Sequence, residues 1–310
     1  MASRCLVTGG AGFIGSHLAE ALVRAGEAVR ILDNFSTGKR ENLSGFRDHV
    51  EVLEGDLGNL EDCRRAVQGV ETVYHHGALP SVPVSVADPV RTHRSNVTGT
   101  LNLLTAARDA GVRRLVYAAS SAVYGDDPVL PKTEGMMPRP LSPYAIQKYV
   151  GELYCRSFYE LYGLETVSLR YFNVFGPRQD PTSPYAAVIP RFISALAAGT
   201  PPTIHGDGEQ SRDFIYVENV VHANLTAARA ERACGAVINV AGGTGCSINE
   251  LLAVLQRLMQ TRIEPLYGEP APGDVKHSVA DISALETLLQ YRPEVSFQEG
   301  LRRTIAFFRA

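Results

Sequence analysis

The sequence feature that most limits how this chain can fold is a glycine-rich turn between a predicted apolar strand and a predicted amphipathic helix. An apolar run at residues 5–7 leads into three glycines spaced three apart, and apolar residues then recur at helical spacing over residues 16–25. The first two glycines can let the backbone approach a pyrophosphate at the helix N-terminus, and the third can let the helix sit close to the strand. The predicted contact residues of this turn are Gly9, Gly12, Phe13, Ile14 and Gly15.

A second predicted strand, over residues 28–32, ends in Asp33. An acid about twenty residues beyond such a glycine turn can accept a hydrogen bond from a ribose 2′-hydroxyl. The alternative is a close-packed strand-helix turn in which Asp33 only caps a helix. Because strand, turn, helix and acid all agree, we favour a dinucleotide site, and the acid favours NAD over NADP.

The first half of the chain alternates short apolar strands with helix-length segments. This order predicts right-handed crossovers and an α/β fold of the Rossmann type, a doubly wound parallel sheet with a smaller, loop-rich C-terminal substrate lobe. We expect an NAD-binding domain at 1–172 plus about 213–241, and a substrate-binding lobe at about 173–212 and 242–310. Strands are predicted near 4–8, 28–33, 50–54, 71–75, 113–119 and 165–170, helices at 13–25, 59–68, 95–110 and 144–162, and capping boxes at 247–250 and 296–299.

Composition narrows the classes of partner. A formal net charge of −3 and the lack of a long charged run indicate no basic face for nucleic acid. No apolar run reaches the roughly eighteen residues of a membrane span, and residues 1–10 do not resemble a signal peptide. The five cysteines lack a CxxC pair and are interpreted as small buried residues in a reducing compartment, not as metal ligands or disulfides. We therefore expect a cytoplasmic protein without a metal site.

Tyr144 and Lys148 are the strongest catalytic candidates. They lie four residues apart and so share one face of a predicted helix. The Lys148 ammonium can favour the phenolate form of Tyr144, which would make the phenol a general base near neutral pH. Taken alone the pair is more typical of a solvated or partly buried helix. Its position downstream of the nucleotide loop favours proton transfer beside a nicotinamide.

The ordered set of motifs resembles the extended short-chain dehydrogenase/reductase superfamily and, more narrowly, the nucleotide-sugar 4-epimerases. The set comprises the glycine turn, Asp33, the segment 119–125, Tyr144 with Lys148, and Arg170-Tyr171-Phe172-Asn173. The resemblance runs from about residue 3 to the C-terminus. It implies NAD as cofactor, C4 epimerisation of a UDP-hexose through a transient 4-keto sugar, and a homodimer formed by helices near 95–110 and 144–162. The further cofactor contacts that it implies are Asn34, Ser36, Thr37, Gly38, Asp56, Leu57, Ala78, Tyr144, Lys148 and Tyr171.

The serine segment bears on the chemistry. Ser120 matches the catalytic hydroxyl of the family, Ser121 is a close rival, and either could be a hydrogen-bonded serine at a strand end. Dehydratases and decarboxylases of the superfamily usually carry an acid just after this position, where Ser121, Ala122 and Val123 offer no carboxyl group. The sequence therefore favours an epimerase, with a dehydratase, a decarboxylase, a reductase or a non-catalytic NAD-binding protein as alternatives.

The resemblance also implies the substrate contacts. In relatives, a tyrosine at this position goes with a preference for plain hexoses, whereas a small residue leaves room for a 2-acetamido group. Ser278 is small, so the resemblance favours UDP-GlcNAc/UDP-GalNAc over UDP-glucose/UDP-galactose. A polar residue beside a strand is the alternative role for Ser278. Ala271 stands where the family usually has a diphosphate arginine, which puts the affinity for the nucleotide sugar in question. The implied contacts are Ser81, Ser120, Ser121, Tyr144, Asn173, Gln179, Ala187, Val188, Arg191, Thr203, His205, Arg212, Asp274 and Ser278.

Overall fold

The computed structural model describes residues 4–181, 187–269 and 275–309. Its strands are β1 (Arg4–Thr8), β2 (Ala28–Asp33), β3 (Val50–Glu54), β4 (Thr72–His75), β5 (Arg114–Ser120), β6 (Glu165–Tyr171), β7 (Asn173–Phe175), β8 (Thr203–His205), β9 (Ser211–Tyr216), β10 (Val237–Val240), β11 (Gly245–Ser247), β12 (Leu266–Gly268) and β13 (His277–Ser278). Its α-helices are α1 (Phe13–Arg24), α2 (Leu60–Val67), α3 (Val82–Ala87), α4 (Pro89–His93), α5 (Gly99–Asp109), α6 (Pro143–Tyr162), α7 (Val188–Ala197), α8 (Val217–Ala227), α9 (Ile248–Met259), α10 (Ser283–Leu288) and α11 (Phe297–Arg309).

Seven parallel strands form the main sheet in the order β10-β6-β5-β4-β1-β2-β3. One apolar cluster fills the face covered by α1 and α8, and a second fills the face covered by α2, α5 and α6. The central strands β1, β4 and β5 are buried along nearly their whole length, as expected for a parallel sheet with both faces covered. The order reverses between β1 and β4, so a crevice for a ligand opens at their carboxyl ends.

The predicted fold class is confirmed, and the six predicted strands lie within one residue of their observed bounds. The helix predicted at 95–110 is the second part of a longer helical unit, because α4 continues through a π-helical turn at Arg94–Thr98 into α5. Strand β10 was not predicted. Its four residues are too few to carry a recognisable pattern.

A second, smaller lobe is built on β9, which pairs with β7, β11 and β13. Helices α7, α9 and α11 pack against this sheet through their own apolar cluster. The capping box predicted at Ser247 is present. At Ser296 only half of one forms, since Ser296 Oγ accepts from the Glu299 amide at 3.3 Å while the Glu299 carboxylate pairs with arginines of α11.

The loop after β7 contacts helix α1, which packs on the main sheet. Arg178 forms an ion pair with Glu20 of α1 at 2.5 Å, and the Pro177 carbonyl lies 3.0 Å from His17 Nε2. Within the described ranges, no helix is long and apolar enough to cross a membrane. All five cysteines are free thiols; three are buried as predicted, whereas Cys234 and Cys246 are only half-buried.

Candidate active site

The glycine turn leaves the N-terminus of α1 available to an anion. Gly12 caps α1 without a side-chain hydrogen bond, and no acidic residue occupies the first turn. The first N–H groups of the helix therefore remain available to a diphosphate. A Cβ on Gly9, whose φ is +66°, would lie 2.8 Å from the Gly77 backbone, and a Cβ on Gly15 would overlap the Gly9 carbonyl oxygen. Packing alone thus requires glycine at Gly9 and Gly15.

The Asp33 carboxylate is fixed at the end of β2. Its Oδ2 accepts from the Ala11 amide at 2.9 Å and its Oδ1 from the Phe35 amide at 2.8 Å. Burial raises the pKa of Asp33, and the two backbone hydrogen bonds oppose that rise. Gly38 lies against the same carboxylate, because a Cβ there would be 3.0 Å from both oxygens. Each oxygen keeps a lone pair for a ribose hydroxyl, so this arrangement fits NAD.

The residues predicted to contact the adenosine form a second hydrogen-bonded group after β2 and β3. Asn34 Oδ1 accepts from the Ser36 amide at 3.0 Å, and Thr37 lies in the same turn. Asn34 Nδ2 reaches Asp56 Oδ2 at 3.4 Å, which brings the ends of β2 and β3 together. The Leu57 carbonyl accepts from a side-chain amide of α5 at 2.9 Å. The residues predicted for the adenosine half of NAD therefore lie side by side.

Asn96 secures the loop that follows β4, and the sequence analysis did not identify it. Asn96 lies in the π-helical turn and is buried. Its Oδ1 accepts from the Leu79 amide at 2.8 Å and its Nδ2 lies 3.2 Å from the Leu79 carbonyl. Ala78 precedes Leu79 in this loop, and Ser81 follows as the N-cap of α3. An amide inside an apolar-striped segment was its only signal in the sequence.

The Asn96 side-chain amide also contacts α6, the helix that carries Tyr144 and Lys148. Asn96 Nδ2 donates to Gln147 Oε1 at 2.8 Å, and Gln147 Nε2 donates to Thr92 Oγ1 at 3.0 Å. Gln147 is buried and lies between Tyr144 and Lys148 in α6. These bonds fix the rotation of α6 against the cofactor loop.

Ser120, Tyr144 and Lys148 come together at the carboxyl end of β5. Ser120 is the last residue of that strand, and Tyr144 lies in the first turn of α6. The Tyr144 amide donates to Ser85 Oγ at 3.0 Å, which satisfies one free donor of the helix start. Lys148 Nζ lies 6.0 Å from the centre of the Tyr144 ring and donates to the Ala118 carbonyl at 2.7 Å. Ser121 begins the 3₁₀ turn that follows Ser120.

The electrostatics of this group differ from the sequence expectation. Burial raises the pKa of Tyr144, and hydrogen bonding with Ser120 is the influence that lowers it. Burial also lowers the pKa of Lys148 to about 8, although Cys155 and Glu152 oppose the fall. The Lys148 ammonium donates to the Ala118 carbonyl, and it is not among the causes that shift the pKa of Tyr144. A phenolate at Tyr144 requires further positive charge, which the nicotinamide ring of oxidised NAD carries.

Glu152 anchors α6 below this group. It forms a two-pronged ion pair with Arg170 of β6, at 2.9 and 2.7 Å, and both side chains are buried. The Arg170 guanidinium also lies 4.7 Å from the centre of the Tyr124 ring. Burial raises the pKa of Glu152, and Arg170 and Lys148 oppose that rise. The catalytic helix is thus bound to the sheet by charge as well as by apolar packing.

The Tyr171 hydroxyl is held by two side chains. It lies 3.0 Å from His76 Nε2 and donates to Asn224 Oδ1 of α8 at 2.9 Å. The His76 and Tyr171 rings are stacked, with centres 5.9 Å apart. Burial lowers the pKa of His76 to about 3, so this imidazole is neutral. Tyr171 is therefore part of a buried hydrogen-bonded network with His76 and Asn224.

Three of the predicted substrate residues lie on adjacent strands of the smaller lobe. Asn173 of β7 donates to the Asp213 carbonyl of β9 at 3.2 Å. Arg212 of β9 is paired in register with Ser278 of β13, and Arg212 Nη1 donates to the Ser211 carbonyl at 2.8 Å. Both Arg212 and Ser278 are half-buried. The fold thus places a cation, an amide and a small hydroxyl on neighbouring strands.

The other predicted substrate residues are distributed along the same lobe. Gln179 binds its own loop, accepting from the Gly176 amide at 3.3 Å and donating to the Val174 carbonyl at 3.1 Å. Ala187 caps α7, and Val188 and Arg191 lie in its first turns with Arg191 exposed. Thr203 and His205 lie on β8, which pairs with β12. Asp274 and Ala271 lie outside the described residues.

Asp213 is a second residue that sequence analysis underestimated. It follows Arg212 in β9, and its side chain is fully buried. Burial raises the pKa of Asp213 to about 6, and three backbone hydrogen bonds oppose that rise. The local sequence does not predict the burial of Asp213, because the backbone amides that bind its carboxylate come from distant segments.

A model of the NAD dependent epimerase/dehydratase family matches residues 5–241. The chain belongs to this family. It is 44% identical to UDP-N-acetylglucosamine 4-epimerase from Methanobrevibacter ruminantium, solved with UDP-N-acetylmuramic acid, with a TM-score of 0.95 over 100% of this chain and 99% of that chain. It is 40% identical to UDP-glucose 4-epimerase from Thermus thermophilus, solved with NAD, with a TM-score of 0.90 over 99% of each chain.

A further relative is the UDP-glucose 4-epimerase of Mycolicibacterium smegmatis, which is 37% identical over 99% of this chain and 98% of that protein. The family membership and these likenesses confirm the expected enzyme class, a nucleotide-sugar 4-epimerase, and NAD as its cofactor. Two of these relatives are named for UDP-glucose and one for UDP-N-acetylglucosamine. Their names therefore leave the hexose open.

Proposed function

We propose that this enzyme interconverts UDP-GlcNAc and UDP-GalNAc by inverting C4 of the sugar, with Ser120, Tyr144 and Lys148 as its catalytic residues. The convergence of these three side chains at the carboxyl end of β5 supports the proposal most directly. The relative named for UDP-N-acetylglucosamine has the highest identity of the three compared above.

The proposed roles follow from the chemistry of inversion. Tyr144 takes the proton of the sugar 4-hydroxyl, and Ser120 bridges the two by a hydrogen bond. Bound NAD would supply the acceptor and donor for the C4 hydride, so that the hydride removed from C4 would be restored to it. Lys148 holds the nicotinamide ribose and contributes positive charge beside the phenol. The 4-keto sugar turns about its bonds to the diphosphate, so that C4 presents its opposite face.

The nucleotide part is assigned to the smaller lobe. Arg212 suits a diphosphate because a guanidinium can bond two phosphate oxygens at once. Asn173 lies on the adjacent β7, and Thr203 and His205 of β8 are assigned to the uridine. We further propose the domain division stated for the sequence, except that β9 belongs as a whole to the smaller lobe, with the diphosphate lying between the two parts.

An assay of products tests the activity. The purified enzyme is incubated with UDP-GlcNAc, UDP-GalNAc, UDP-glucose and UDP-galactose, with NAD far below the substrate concentration, and products are resolved by NMR. Epimer mixtures reached from either side are expected, since NAD is regenerated in each turnover. Loss of water, or consumption of NAD in proportion to product, would contradict the proposal.

Substitution of Tyr144 tests the base. Tyr144→Phe removes the hydroxyl and keeps the ring, so we expect turnover to fall by at least about a hundredfold with NAD content and thermal unfolding unchanged. Turnover within a few-fold of the parent would contradict the assignment and would direct attention to Ser121.

Ser278 tests the choice of hexose. A tyrosine at this half-buried position should fill an acetamido pocket, at a cost of about 1–3 kcal/mol. The ratio of kcat/KM for UDP-glucose over UDP-GlcNAc should then rise by about ten- to a hundredfold. His277→Tyr is the matched control, because it places a tyrosine at the exposed neighbouring position of the same strand. Equal loss on both sugars in Ser278→Tyr would indicate a structural role.

We also propose a homodimer formed through α6 and the adjoining α3 and α4. Ile146 and Leu153 of α6 are 50% and 49% exposed, and Val90 of α4 is 79% exposed. The apolar side chains of α5 are mostly buried, so its stripe packs against its own sheet. Leu153→Glu should reduce the mass measured by light scattering to that of one chain, whereas Phe307→Glu on α11 should not. A parent enzyme that is monomeric at micromolar concentration would contradict the dimer.

A further inference from the structure

The carboxylate of Asp213 joins segments that are far apart in the chain. Its Oδ1 accepts from the Gly242 amide at 2.7 Å, and its Oδ2 accepts from the amides of Gly243 and Ala280, each at 3.1 Å. Two successive amides on one carboxylate form an anion nest. A buried carboxylate with three donors is well satisfied, so its removal would leave buried donors unpaired.

The joined segments carry the proposed substrate contacts. Gly242 and Gly243 follow β10, at the edge strand of the main sheet, and Ala280 lies two residues after Ser278. The Asp213 carbonyl accepts from Asn173, and Arg212 precedes Asp213 in β9. A Cβ on Gly242 would lie 2.8 Å from the Phe214 carbonyl oxygen and 3.2 Å from Asp213 Oδ1, so the approach depends on glycine.

We propose that Asp213 is a positioning residue for the nucleotide-sugar site: its carboxylate sets the spacing between β9, β13 and the end of β10, and so aligns Arg212, Asn173 and Ser278 for one diphosphate sugar. This rests on the proposed function, which assigns the diphosphate and the sugar to those three residues. The cofactor contacts described above lie on other elements, so the alignment acts on substrate affinity and not on NAD affinity.

Asp213→Asn tests the alignment with little change in shape. An amide offers one acceptor oxygen and one donor nitrogen, so at least one of the three backbone N–H groups then faces another donor. We expect the Kd of UDP and the KM of the UDP-sugar to rise by on the order of tenfold to a hundredfold, with kcat and the Kd of NAD changed less than about threefold. Asp281→Asn is the matched control. Its half-buried carboxylate accepts from the Ser283 amide, and its amide follows that of Ala280.

Arg212→Ala, measured in parallel by calorimetry with UDP and with NAD, separates the two levels of inference. If Arg212→Ala weakens UDP and Asp213→Asn does not, Asp213 is not a positioning residue and the proposed site stands. If neither variant weakens UDP, the placement of the diphosphate is wrong and the inference fails with it. Equal weakening of UDP and NAD in Asp213→Asn would show a general structural role and would overturn the inference. Should Asp213→Asn not fold, Gly242→Ala disturbs the same nest from the other side and is expected to give the same selective loss of UDP affinity; an unchanged affinity would overturn the inference.

Discussion

Gly38→Ala should weaken NAD binding through the Asp33 carboxylate. The added Cβ would lie 3.0 Å from both carboxylate oxygens and 2.9 Å from the Ala11 Cβ. Asp33 cannot swing aside without losing its bonds to the Ala11 and Phe35 amides, at 2.9 and 2.8 Å. Overpacking of this kind costs about 1–3 kcal/mol. If the cost is borne only in the complex, where the ribose fixes Asp33, the Kd of NAD rises by about 5- to 150-fold.

The assay is titration of NAD-depleted protein by calorimetry, with thermal unfolding of the same samples as a check on folding. Gly45→Ala is the matched control in the same connection after β2, because a Cβ there meets no atom within 4 Å. Its NAD affinity should equal that of the parent. An unchanged Kd in Gly38→Ala would refute the role assigned to Asp33, and an equal loss in both variants would show that the connection responds to any added bulk.

Two further predictions concern α6. Lys148→Met should shift the acid limb of the kcat profile to higher pH by about one to three units, because in the proposed complex the Lys148 ammonium leaves the Ala118 carbonyl for the nicotinamide ribose and its positive charge then favours the Tyr144 phenolate; a profile that only drops in height would contradict this. Glu152→Gln should destabilise the fold by about 3–5 kcal/mol in urea unfolding, because it leaves Arg170 buried without its partner, whereas Glu160→Gln on the exposed face of the same helix should change little. Equal midpoints for the two glutamine variants would contradict the importance of the buried pair.

Local patterns account for the parts that the sequence predicted well. The strand bounds follow from short apolar runs, and the glycine turn follows from a spacing that only one packing of strand and helix satisfies. Tyr144 and Lys148 share a face because helical spacing puts them there. Each of these predictions depends only on residues that are close to one another in the sequence.

Residues whose role depends on distant partners could not be predicted in this way. Asn96 binds Leu79 and Gln147, which lie 17 and 51 positions away. Asp213 is held by amides 29, 30 and 67 positions away. No periodicity in the sequence encodes such pairings, so a buried polar residue resembles a surface residue until the chain is folded.

The pKa of Tyr144 shows the same limit within the predicted catalytic motif. Helical spacing fixes which face Lys148 occupies, but not whether its ammonium points to the phenol or to a carbonyl. Ala118, at the end of a strand 30 positions earlier, supplies that carbonyl and draws the ammonium to 2.7 Å. Burial of both groups then disfavours the charged form of each, which raises the pKa of Tyr144 and lowers that of Lys148 to about 8. Burial therefore works against the charged form of both groups, and the proposed role of Tyr144 as a base depends on positive charge from bound NAD as well as on the tyrosine-lysine spacing.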